Sequence, residues 1–334
     1  MTMTPTSIPS PGPGPVSTSA AAPLTRAALL EQIARGKVLR GLKLAGGDYR
    51  GLAAKAARFD GVDARGARFD DAQLAQTHWK NCLLDGAQFN QAQLPQARFE
   101  ACQASQSAWR GANLLRSTWQ RCTLTQAQFD GANLTRLSWF DCVASGAALA
   151  RATLDIALLK NCDLRAMDLQ RVSWRLVQIR DCDLSGSQFA GARFAHSAMS
   201  GVKAHATDFR GIEAPYLAFE RSDLRGARFV GAQLKGAKFD QAQLEGTDCS
   251  EADLTLARFV EAQGAGLKLC RAQLVRADFS RAALPGADFT DAEVENASFD
   301  DADLDGAIWE RCNRAAARAP DLLLHEALAW RPPV

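Results

Sequence analysis

Six cysteines stand twenty residues apart, at Cys82, Cys102, Cys122, Cys142, Cys162 and Cys182. A run that regular invites three chemistries: a file of metal ligands, a thiol relay, or a stack of disulfides. Metal sites need clustered thiolate, imidazole or carboxylate ligands, and no histidine or acid shares the cysteine position. The compact thiol instead suits a slot that Ala, Ser, Thr or Val fill elsewhere in the chain, so the ladder reads as packing. The nine cysteines are too sparse for a disulfide scaffold, and an odd number leaves one unpaired. His78, His196, His205 and His325 fall in no arrangement of nucleophile, base and orienting acid, and no glycine-rich phosphate loop joins a strand to a helix. The expectation is a non-enzyme that uses neither metal nor cofactor.

What holds the cysteines in line is a repeat of five. From Leu39 to Trp309 every fifth residue belongs to a comb of 55 positions, and 47 of them carry a large apolar side chain. The residue two before each tooth is small or apolar, usually Ala, as in Ala87, Ala92 and Ala97, and 21 of the 25 glycines stand two after a position of this register, counting Gly36 after Ala34. On an α-helix five residues advance roughly 500°, which leaves no common face. On a flat strand an odd step sends alternate teeth to opposite sides. The chain must therefore turn once per repeat, with two inward residues on a short extended side and a corner of Gly, Asp, Asn and Ser between sides. The cysteine period then makes four sides to a coil. Of the 25 aromatic residues 22 sit on the comb, mostly at alternate teeth, so that two opposite walls present rings and the other two Leu.

The segments "AQFNQ AQLPQ ARFEA" (87–101), "SDLRG ARFVG AQLKG AKFDQ AQLEG" (222–246) and "ADFTD AEVEN ASFDD ADLDG" (287–306) carry this pattern. It resembles the pentapeptide-repeat family, whose repeat reads small, polar, Leu/Phe, any, Gly. The resemblance covers residues 37–310 and implies an all-β fold, a right-handed quadrilateral β-helix of about 14 coils. At roughly 4.8 Å per coil that is a rod of order 65 Å.

The ends depart from the repeat. Residues 1–23 hold six of the twelve prolines and read as a disordered tail. Residues 24–36 spell a short helix with Thr25 as N-cap and Gly36 as stop, a cap on the open apolar end of the first coil. Residues 311–334 read as a second helical cap whose Leu323, Leu324, Leu328 and Trp330 exceed what one stripe needs, and so serve a homodimer. A net charge of +2 argues against a polybasic nucleic-acid binder, and no apolar run is long enough to span a membrane. The first residues have neither the basic start nor the apolar stretch of a secretion signal, and the expected location is cytoplasmic.

Function then falls to surface residues that the repeat leaves unexplained. Phe140 follows Trp139 at an outward position, Ile156, Leu176 and Tyr216 share one corner column, and Leu158 lies one coil from Phe140. With Arg175 these compose an apolar patch midway along the rod, suited to a protein partner. Charge is sorted along the axis: Arg26 to Arg68 carries a net +6, whereas Asp288 to Glu310 has nine acids and no base. Asp288, Asp291, Glu293, Glu295, Asp300, Asp301, Asp303 and Asp305 form an acidic end. The leading expectation is a protein-binding scaffold or adaptor. Its opening segment "LTRAALLEQIARGKVLRGLKL" is similar to that of family members associated with bacterial type VI secretion, which implies secretion-system partners. The alternative is a DNA mimic like members that bind gyrase, which needs acidic surface over much of the rod.

Overall fold

The structure, a computed structural model, describes residues 22–170 and 172–319. The 1–21 part of the tail and the four dimerisation candidates Leu323, Leu324, Leu328 and Trp330 lie outside the described residues.

One geometric rule builds the molecule. Residues twenty apart pair in parallel, from Leu39↔Phe59 to Asp288↔Ile308, without a slip of register. Four ladders result, as in Lys43↔Asp63, Asp48↔Arg68, Ala53↔Gln73 and Arg58↔His78. The ladder through Arg58 is the most regular: strands from Leu39–Arg40 to Ala198–Ser200 form one nine-stranded sheet. A parallel solenoid whose strands alternate inward and outward follows from the two-residue period of extended chain.

Among the described residues each corner is made by the residue two after a tooth, and it takes a φ between +50° and +70° whether or not it is glycine. This is the left-handed region, free for Gly and costly for other residues. Its N–H donates to a carbonyl one coil on, as Gly226 does to Glu245 at 3.0 Å.

Inside, teeth stack on teeth. Phe89 lies on Trp109 at 4.1 Å and Phe99 on Trp119 at 3.8 Å, while rings of opposite walls meet edge to face across the core. From Leu149 to Leu169 the teeth are Leu only, and the ring stack is interrupted between Trp139 and Trp174. Tryptophan brings an N–H that must be bonded when buried. Thr77, Ser107 and Ser117, each two residues earlier, accept it from Trp79, Trp109 and Trp119. Trp139 and Trp174 follow Leu137 and Val172 instead, and their indole N–H groups have no partner.

The helix α1 (Arg26–Ala34) covers the first coil, with Thr25 Oγ1 accepting from Ala28 N–H and Leu29 buried. Tyr49 Oη donates to Leu24 O at 2.6 Å and Arg26 donates to Gly51 O at 3.1 Å, tying helix to rod. At the other end a single 3₁₀ turn, Arg314–Ala316, stands where a helical cap is expected in the described part of 311–334. The backbone there is claimed by the ladder: Asn296 N–H donates to Ala316 O and Arg318 N–H to Ala297 O. The Arg314 guanidinium lies 4.8 Å over the Trp309 ring and shields the last tooth.

Candidate functional site

The cysteine ladder is buried, and all nine thiols are free. Each thiol of the six donates to backbone carbonyls, Cys82 to Lys80 O at 3.2 Å and Cys102 to Trp79 O at 3.3 Å. Hydrogen bonds along the file pull Cys122 down and by the same exchange push Cys102 and Cys142 up. Burial pushes the thiols of the file up, away from the reactive thiolate. Among the described residues no three His, Cys, Asp or Glu side chains are grouped to hold a metal.

The outer surface is mostly polar and internally paired. A recurrent device is an outward Asp bridged to an Arg two residues on: Asp63–Arg65, Asp163–Arg165, Asp208–Arg210 and Asp223–Arg225. In each the Asp is held below its ordinary range; for Asp223, burial works upward but is outweighed by bonds from Arg225 and His205, leaving it at about 2.

One corner breaks this pattern. Its column runs Arg136, Ile156, Leu176, His196, Tyr216, Gly236, Leu256, each residue one coil beyond the last. Ile156, Leu176, Tyr216 and Leu256 are exposed by 40, 43, 66 and 42 %. They are half of the eight exposed large apolar residues among those described, so the clustering is not the scatter expected of a surface. Their φ values are 59°, 58°, 61° and 61°, where a β-branched or bulky side chain is an outlier. The ridge therefore carries two costs to folding, strain and exposed apolar area, that Gly or Asn would avoid. Five coils separate Ile156 from Leu256, a span of about 24 Å.

Arg175 precedes Leu176 and pairs with Asp155, which precedes Ile156, at 2.7 Å, so an ion pair runs beside the ridge. Leu158 lies half-buried on the adjoining wall, its Cα opposite Ser138 and Gln178. Phe140 does not join them. It is half-buried at the far end of the strand Ser138–Phe140, opposite Lys160, with the width of the wall between it and the Ile156 corner. Leu256 is the ridge member that sequence reading passed over, though it stands forty residues beyond Tyr216 in the same twenty-residue column.

The acidic end is less acidic in space than in sequence. Arg311 forks onto Asp291 at 2.6 Å, and Arg318 bonds Asp300, which is only 5 % exposed. The carboxylates of Asp288 and Asp303 accept the N–H groups of Thr290 and Asp305. Glu293 and Glu295 share a shallow hollow with Asn296 and Arg311, and Asp301 is a left-handed corner residue. The neutralising arginines come from just beyond the acidic run and reach back one coil.

Among the described residues no helix is long and apolar enough to cross a membrane. Two family models match the chain: "Pentapeptide repeat region" over residues 112–189, and "Pentapeptide repeats (8 copies)" over 67–103, 175–211, 206–241, 237–272 and 272–308. No curated protein matches. Solved structures that match include trypsin-treated QnrB1, a plasmid-mediated fluoroquinolone resistance protein, at 20% identity over 60% of this chain and 90% of that one, with a TM-score of 0.43. HetL, a pentapeptide repeat protein involved in heterocyst differentiation regulation from the cyanobacterium Nostoc sp. strain PCC 7120, matches at 20% identity over 89% of this chain and 98% of that one, with a TM-score of 0.27. A PL6 alginate lyase complex matches at 9% identity over 88% and 85%, with a TM-score of 0.36.

Proposed function

Because this chain belongs to the pentapeptide-repeat proteins, whose models match it over 67–103 and 112–308, we propose that it is a non-catalytic scaffold that binds a protein partner. The observation that carries this reading is the ridge of Ile156, Leu176, Tyr216 and Leu256, placed where the fold would be more stable without it. Aromatic and aliphatic anchors fixed on a stiff corner lose little freedom on binding, which favours a hot spot. The rod has about fourteen coils, which the unbroken twenty-residue register from residue 39 to 308 supports, and is right-handed by its family likeness. It works in the cytoplasm, and its partner belongs to type VI secretion machinery, by the likeness of residues 24–44 to such family members. Gyrase mimicry has weaker support, because the acidic end is short and Arg311 and Arg318 neutralise part of it.

The test compares wild type with an Ile156→Asp, Leu176→Asp, Tyr216→Asp variant in pull-downs from host lysate at low and high salt. A secretion component retained at both salts and lost by the variant supports the proposal. Gyrase retained only at low salt and indifferent to the variant would replace it with the mimic reading.

A further inference from the structure

Two coils before the ridge begins, the same wall carries a different surface. Arg58, His78 and Arg98 are successive outward residues of the nine-stranded sheet, Cα against Cα. Arg116 projects from the neighbouring corner, and with Gln76, Gln96 and Thr118 these side chains line an open groove of about 520 Å³. Gln76 Nε2 donates to Gln96 Oε1 at 3.2 Å along its edge.

The groove has no carboxylate among its lining residues. Many arginines elsewhere on the rod are paired, to an Asp two residues away or to an acid one coil away, as in Arg193–Glu213 and Arg271–Glu251, and those without an ion pair, such as Arg136 and Arg276, do not gather in threes around one groove free of carboxylates. Arg58, Arg98 and Arg116 form no ion pair among the described residues. The acid nearest the groove is Glu100, 3.7 Å from His78, and it is already bonded to Arg121 at 2.8 Å and approached by Lys80 at 3.8 Å. In a chain whose total charge is +2, three unpaired guanidinium groups converging on one depression are a local surplus without a structural use.

We propose that this groove binds a compact, multiply charged oxyanion of the oligophosphate class. Guanidinium forks match phosphate oxygens two at a time, and their charge is not lost at any working pH. Three positive charges around a volume of this size favour a ligand with several negative charges on few atoms, whereas a single carboxylate would leave two guanidinium groups unanswered. Gln76, Gln96 and Thr118 supply neutral donors at the rim. The groove is a second site, independent of the apolar ridge and of the partner proposed for it.

The probe is sodium tripolyphosphate, titrated calorimetrically into the full chain at 150 mM salt, with citrate as the carboxylate counterpart. The expected result is saturable one-to-one binding of tripolyphosphate, at least tenfold tighter than citrate. An Arg58→Gln, Arg98→Gln variant should lose about a hundredfold in affinity, roughly tenfold for each fork removed. An Arg40→Gln, Arg193→Gln variant, which removes two exposed but paired arginines, should bind as wild type does. Absence of saturable binding, equal loss in both variants, or preference for citrate would each overturn the proposal. Unchanged melting of the first variant separates a lost site from a lost fold.

Discussion

The ring of Tyr216 rests against Gly236, its neighbour one coil on, so closely that a β-carbon on Gly236 would stand 2.6 Å from Tyr216 Cδ1. The most exposed aromatic residue among those described is thus held in place by the absence of a side chain. Gly236→Ala must displace that ring as well as strain a corner at φ +68°. Gly231→Ala, with nothing within 4 Å of the new carbon, carries the strain alone. Both variants should lose about 1–2 kcal/mol in denaturant unfolding. Only Gly236→Ala should also weaken partner binding, and equal binding by the two would show that the ring's placement does not matter.

Ile156 at φ +59° is a β-branched residue in a conformation that Asn tolerates far better. Ile156→Asn should therefore raise stability by about 1 kcal/mol while weakening partner capture. A surface position whose replacement stabilises the fold and damages function is what selection for binding leaves behind. A stability loss on urea unfolding would mean that the side chain packs rather than binds.

The comb, its four-sided coil and the inward cysteines were all legible in the sequence, because a repeat that stacks on itself imposes side-chain character every twenty residues. Surface relationships were less so. Phe140 looked like a neighbour of Ile156, but the width of the wall, set by three extended residues, separates them. The acidic run looked free because Arg311 and Arg318 follow it in sequence; closing a coil brings them back alongside Asp291 and Asp300. Leu256 was overlooked although its column was visible, since Gly236 interrupts the run of large residues.

Burial makes a clear statement about the thiols. Cys82 through Cys182 and Cys249 are buried, and only Cys270 and Cys312 are partly exposed. Titration of the native protein with an aromatic disulfide reagent should show two reactive thiols at first, and nine only after unfolding. Several fast groups among the six of the ladder would reopen a redox role.

The Asp–Arg brackets predict an acid limb in stability. Asp223 titrates at about 2 in the fold, below the ordinary 3.8, so its contribution is full above pH 4 and fades as pH falls through 2. With Arg225 about half exposed, the bracket is worth about 0.5–1 kcal/mol. Asp223→Asn should lower the unfolding free energy from urea titration by that amount at pH 6 and by nothing measurable near pH 2. A gap that persists at pH 2 would assign the loss to packing instead.

The unpaired indole of Trp174 offers the sharpest test of how the core handles polar groups. At Trp79 the hydroxyl two residues earlier does two things at once: Thr77 Oγ1 accepts the indole N–H at 3.1 Å and donates to Leu74 O at 2.8 Å. Val172 occupies the equivalent place before Trp174, and its shape is that of Thr with a methyl for the hydroxyl. Val172→Thr should supply the missing acceptor without changing volume, with Leu169 O as the carbonyl that receives the hydroxyl proton. A buried unsatisfied donor costs about 1–3 kcal/mol, and burying the hydroxyl consumes part of the recovery, so a net gain near 1 kcal/mol is expected. Leu137→Thr before Trp139 adds the same acceptor but removes volume from a buried site, and it should destabilise. If both variants lose stability alike, burying the added hydroxyl costs more than the indole bond returns in these coils.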